Sequence, residues 1–270
     1  MNAALIDVNL IWPALIAGLL VTASHVPLGV QVLDRGIVFI DLAVAQIAGL
    51  GVVFADWVGL EPQGWAVQIA ALSAALAGAL LLNVTEKLWP EVQEATIGVT
   101  FVVAANAAIL LLASNPHGSE HLRDLLVGQI LWVNPARLPL EALIYGAILA
   151  IWFGFRARIG RIGFYVLFAI AVTIAVQLVG LYLVFTTLIV PALVTRRFTR
   201  FRLIACWALG LTGYAAGLAI SLVSDLPPGP LIVCAMTVMG MLLFACVRPA
   251  HRSTPVAQDS ALRATLPRRT

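Results

Sequence analysis

Residues 179–202 read VGLYLVFTTLIVPALVTRRFTRFR. The first part is an apolar run that reaches Pro191, and the second carries Arg196, Arg197, Arg200 and Arg202. Lipid accepts the first part and rejects the second. A membrane boundary therefore falls near Thr195, and clustered positive charge marks the cytoplasmic side. Another apolar run begins at Leu203. The segment leaves the membrane, presents a short basic face and goes back in. Such a face is where a second, soluble protein is expected to push.

Outward from that stretch, apolar runs and polar breaks alternate along most of the chain. Its 270 residues are 61% hydrophobic and 11% charged, with a mean hydropathy of +1.01. A soluble domain is about half apolar. About 20 apolar residues cross a bilayer as a helix, and only helices or closed barrels satisfy the backbone there. Continuous rather than alternating runs exclude a barrel. The expected fold is all-α: a polytopic helical membrane domain over 1–247, with about 8 or 9 crossings, then a basic cytoplasmic tail over 248–270, expected to be disordered. The start, MNAALIDVNLIW, lacks the basic n-region of a cleavable signal. Cys206, Cys234 and Cys246 lie in apolar runs without metal-ligand spacing and are expected to be small buried packing residues. The arginines sit at span ends and in the tail, so the basic balance does not point to nucleic acid.

In order, span 1 covers 10–33, interrupted by Pro13, Pro27 and Gly29, with His25 inside and Asp34 and Arg35 at its end. Span 2 covers 37–55 and contains Asp41 and Gln46. Spans 3 and 4 cover 64–84 and 95–113, and the polar loop SNPHGSEH follows. Residues 122–136 are apolar but short, which suits an interfacial or re-entrant helix. Span 5 covers 138–155 and ends in RARIGR. The run 163–195 is too long for one crossing, and basic residues flank both its ends. It is expected to cross twice, turning near Gly180, with arms of about 16 residues, or roughly 24 Å each. Arms that short suit broken helices lining a protein-walled cavity. Spans 8 and 9 cover 203–223 and 230–247. The N-terminus then lies outside and the C-terminus inside. Of 16 Lys and Arg, only Arg123 and Arg137 fall outside, which supports this topology.

Five stretches in this order resemble the ABC-3 permeases, the membrane subunits of bacterial zinc, manganese and iron uptake ABC transporters. They are PLGVQVLDRGIVFIDLAVAQIAGLG (27–51), EATIGVTF (94–101), LLVGQILWVNPARL (125–138), VGLYLVFTTLIVPALVTRRFTR (179–200) and SDLPPGPLIV (224–233). The resemblance implies a type II importer-like permease in the bacterial inner membrane. It would dimerise, receive metal from an extracytoplasmic solute-binding protein and be driven by a separate ATPase. No G-x-x-x-x-G-K-[ST] loop occurs in the sequence, so ATP would be bound by that partner. Pro191, Arg196, Arg197 and Arg200 match the place of the coupling helix, where the arginines could meet carboxylates of the ATPase. A plain positive-inside anchor is the alternative.

The sequence departs from the family in two places. Where span 2 of the family carries an Asp and, one turn later, a His, this chain has Leu42 and Gln46; Asp41 is one position early, about 100° around the helix. The acidic cytoplasmic segment after span 5 is reduced to RARIGRIG. Candidate path residues are His25, Asp41 and Gln46, together with Asp225, which matches the family's loop aspartate. Each has a structural alternative: pairing of Asp41 with Arg35, a hydrogen-bonded buried His25, a packing Gln46, or a turn at Asp225. His117, Glu120 and His121 could capture a cation at the outer loop, or could simply be solvated. No catalytic constellation is visible. The expected function is import of zinc or manganese as the permease of an ABC transporter. The alternatives are a metal chelate or other small solute as cargo, or an ion-gradient carrier.

Overall fold

The computed structural model describes residues 8–60, 64–112, 130–156, 158–198, 200–224 and 226–246. These contain nine α-helices and no strand: α1 (Val8–Arg35), α2 (Ile40–Trp57), α3 (Trp65–Leu88), α4 (Gln93–Leu112), α5 (Leu138–Phe155), α6 (Arg161–Val179), α7 (Leu181–Val194), α8 (Arg202–Ser224) and α9 (Pro228–Cys246). Short 3-10 turns occupy Pro90–Val92, Ile130–Trp132 and Thr195–Arg197. Most of the expected interfacial segment 122–136 lies outside the described residues, as does the tail.

Helix α6 is the core. Phe164, Phe168, Val172, Ala175 and Val179 are all fully buried, and α1, α2, α3 and α5 pack around it. Its end is set by Gly180, at φ 88° and ψ 158°, a conformation open to glycine because it has no Cβ. The Gly180 amide closes α6 on the Val176 carbonyl at 2.9 Å, and its own carbonyl opens α7 through Val184 N–H at 3.1 Å.

Contacts at the helix ends show that α6 and α7 leave and return to the same end of the bundle. The Arg35 guanidinium, at the end of α1, lies 4.2 Å over the Phe164 ring, at the start of α6. Arg161 sits 3.7 Å from Glu86, near the end of α3. After α7, Thr195 Oγ1 contacts Cys206 Sγ at 2.8 Å, and Arg202 reaches Asp34 of α1 at 3.4 Å. The hairpin read from the charge pattern is therefore present, but its arms are unequal, 19 and 14 residues. Among the described residues, eight helices are long and apolar enough to cross a membrane. Helix α7, about 21 Å long, is the short ninth.

Span 1 corrects an expectation. Pro13 and Pro27 do not interrupt it: α1 is one helix of 28 residues, about 42 Å long. Proline at position 27 removes the N–H that would serve the Ala23 carbonyl four residues back. The Trp207 indole N–H of α8 donates to that carbonyl at 3.3 Å instead. A neighbouring helix thus restores the lost bond, as a bilayer requires. Gly29, two residues on, lets α1 meet α7: a Cβ there would overlap the Leu188 carbonyl oxygen.

The cysteine expectation holds for Cys206, which is buried, and fails for Cys234 and Cys246, which are exposed on α9. Apolar runs on outer helices put some side chains on the outside of the bundle. The same is true of Val99, Val103 and Leu110 on α4 and Leu143 on α5.

Candidate functional site

The two faces of α2 differ. Leu42 and Gln46, one turn apart, are both half-buried and share one face. Asp41 is fully buried and projects about 100° away from Leu42 and about 140° away from Gln46. The structure thus separates Asp41 from Gln46. Nor does Asp41 pair with Arg35: the ion pairs formed among the described residues are Arg161–Glu86 and Arg202–Asp34.

Both Asp41 carboxylate oxygens are buried without a hydrogen-bond partner. The N–H groups of Asp41 and Leu42 lie near them, but without the geometry of a hydrogen bond. The charged neighbour is Glu94, in the first turn of α4. Glu94 Oε1 accepts the Phe39 N–H at 3.2 Å, which ties α4 to the residue before α2. Its Oε2 is buried and unpaired. Sequence reasoning passed over Glu94 as a site residue. The available signal was its place within two residues of the α4 start, level with the start of α2.

His25 is fully buried on α1. Its Nδ1 lies 3.1 Å from the Val21 carbonyl oxygen and 3.0 Å from Ser24 Oγ. Ser24 Oγ–H has carbonyl acceptors of its own, Leu20 at 3.0 Å and Val21 at 3.1 Å. This arrangement favours a proton on Nδ1 and leaves Nε2, which has no partner, as a lone-pair acceptor. The ring meets Tyr145 of α5 edge-on, with centroids 6.3 Å apart. No hydrogen bond joins His25 to Asp41 or Gln46 among the described residues, so the structure does not assemble the three into one ligand set. No group of three or more His, Cys, Asp or Glu side chains able to hold a metal occurs among the described residues.

The basic stretch divides in two. Pro191 is buried inside α7, and its carbonyl accepts from Thr195 Oγ1 at 2.7 Å. Arg202 braces the chain, reaching Asp34 and, at 3.4 Å, the Ala192 carbonyl. Arg196, Arg197 and Arg200 are exposed, and none is ion-paired among the described residues. Arg197 lies 4.2 Å over the Phe244 ring of α9, and Arg200 lies 5.7 Å over Phe201. Phe201 itself has φ 59°, a strained conformation for a residue with a Cβ. The stretch is thus a sharp, exposed basic turn. His117, Glu120, His121 and Asp225 lie outside the described residues.

The model of the ABC 3 transport family matches residues 7–159 and 139–247. The chain belongs to the ABC 3 transport family. Among solved structures this ABC-3 chain is similar to PsaBC from Streptococcus pneumoniae in complex with Fab, at 21% identity and a TM-score of 0.71, over 87% of this chain and 91% of that one. It is also similar to a structure provisionally described as a metal-chelate type ABC transporter in an inward-facing conformation, at 16% identity and a TM-score of 0.61, over 87% of both chains. At these identities the likeness fixes the fold. Together with the family match, it makes the chain a multi-pass ABC transporter permease.

Proposed function

We propose that this ABC-3 permease is the membrane subunit of an importer for a divalent transition metal, zinc or manganese, in a bacterial inner membrane. It works as a homodimer with a separate ATPase and an extracytoplasmic solute-binding protein. The observation that carries this reading is the family match across nearly all of the helical domain. The exposed Arg196, Arg197 and Arg200 turn, between α7 and α8, supplies the surface for the ATPase. Helix α7 starts at the Gly180 break and packs on α1, so a push on the turn reaches the helix that carries His25. The bare His25 Nε2 and the buried Asp41 are donors of the kinds that transition metals accept.

A specific observation favours a second reading, in which the cargo is a metal chelate or another small solute. The α2 face that carries metal ligands in the family presents Leu42 and Gln46 here, and glutamine is a weak ligand for zinc. An ion-gradient carrier is the third reading, and the basic turn stands against it.

Cellular metal content, measured by mass spectrometry with and without this chain in the presence of its ATPase, tests the cargo. A selective fall in zinc or manganese on deletion is expected. No change in any metal would transfer the reading to a non-metal solute. Replacing Arg196, Arg197 and Arg200 together should abolish uptake while the protein still inserts; unchanged uptake would remove their coupling role.

A further inference from the structure

The carboxylates at the start of α2 and α4 lack a counter-charge. Asp41 is fully buried and both its oxygens are unpaired. Glu94, close enough to act on Asp41 electrostatically, has a buried, unpaired Oε2, while its Oε1 is held by the N–H of Phe39, two residues before Asp41. No ion pair to either carboxylate occurs among the described residues: Arg161 is on Glu86 and Arg202 on Asp34, while Arg35 lies over Phe164 with its Nη1 buried and unpaired. A carboxyl buried without a partner is costly whether it holds its charge or takes a proton, and an ionisable side chain inside a span marks a functional position by default. The N-termini of both helices add partial positive charge, but not the bonds that three unpaired oxygens lack.

We propose that Asp41 and Glu94 form a two-carboxylate site for an oxygen-seeking divalent cation between the first turns of α2 and α4. The proposal rests on the metal-import reading above. The site is distinct from the Leu42–Gln46 face, since Asp41 is fully buried and lies around the helix from those half-buried residues. Two carboxylates leave coordination positions for water and for backbone oxygens, an all-oxygen donor set that suits Mn²⁺ better than Zn²⁺, whose sites are mostly completed by nitrogen or sulfur. The site also has a mechanical connection. Phe39, which holds Glu94, stacks on Phe185 of α7 at 6.2 Å with the rings nearly parallel. Helix α7 ends at the exposed arginines, so a shift of α7 would reach the Glu94 carboxylate through one residue.

The test uses the full chain with its ATPase in lipid nanodiscs, titrated with Mn²⁺ and read by the electron paramagnetic resonance signal of free Mn²⁺. Wild type should bind Mn²⁺ saturably. Asp41→Asn and Glu94→Gln should each weaken binding about tenfold or more, and Cys234→Ala, at an exposed position of α9, should leave it unchanged. Binding that is absent in wild type, or unaltered in both variants, overturns the site. If Asp41→Asn fails to assemble by size exclusion, the half-buried Glu94→Gln decides alone. Failure of the import reading is seen separately, as unchanged cellular metal content on deletion of the wild-type chain, whatever the nanodisc titration gives.

Discussion

Glu86 and Asp41 are acidic side chains at the same end of the bundle, one near the end of α3 and the other at the start of α2. Glu86 accepts the Tyr165 hydroxyl at 2.9 Å and faces Arg161 at 3.7 Å. Neither Asp41 oxygen has a hydrogen-bond partner, and no ion pair to Asp41 occurs among the described residues. Along the chain Asp41 has the nearer arginine, Arg35, yet it is Glu86 that is served, by Arg161 of α6. Arg35 is drawn instead to the ring of Phe164, beside Tyr165 on α6. Helix α6 thus gathers the local positive charge on the α3 side and leaves the α2–α4 side bare. Glu86 holds helices together, whereas Asp41 is left buried and unpaired.

If that contrast is right, removing satisfied groups should destabilise the protein and neutralising the unsatisfied one should not. Glu86→Ala strands the Tyr165 hydroxyl and Arg161 and should cost about 1–3 kcal/mol, read by unfolding in mixed micelles. No loss would make Glu86 as dispensable as Asp41. Trp207→Phe removes the donor to the Ala23 carbonyl and should cost roughly 0.6 kcal/mol, with an upper bound near 1.7. If it costs nothing, water or a bent α1 serves that carbonyl. Arg202→Ala breaks a partly exposed pair with Asp34 and should cost about 0.2–1 kcal/mol, less at high salt. A salt-independent effect would move its role to the Ala192 carbonyl. Asp41→Asn, measured without divalent cation, should leave stability near wild type or slightly above it, because it removes a buried, unpaired charge. A loss as large as that of Glu86→Ala would mean that Asp41 has an internal partner, and the contrast would fall.

Much of the fold was legible because lipid imposes a simple rule on sequence. Continuous apolar runs became helices within a few residues of their expected ends, and the flanking arginines correctly doubled 163–195 back at Gly180. The site was less legible. The one-position offset of Asp41 from Gln46 was readable from helical periodicity, and the structure shows the two on different faces. The pairing of Asp41 with Glu94 was not readable, because it depends on how α4 lies against α2, 53 residues further along the chain. Nor was the continuity of α1 readable, since Trp207 repairs the break at Pro27 from a distant helix.

Composition, run length and the placement of arginine determined by themselves that this chain is a helical membrane protein with a basic turn after α7. Those properties follow from the transfer of each segment between water and lipid, which depends on local residues alone. Tertiary structure decided which buried polar groups found partners. A hydrogen bond or ion pair is satisfied over a few ångströms, so its fate depends on packing between helices that the local sequence does not encode. His25 and Asp41 were candidates from the sequence; Glu94 joined Asp41, and Glu86 became a structural brace, only when the helices were put together.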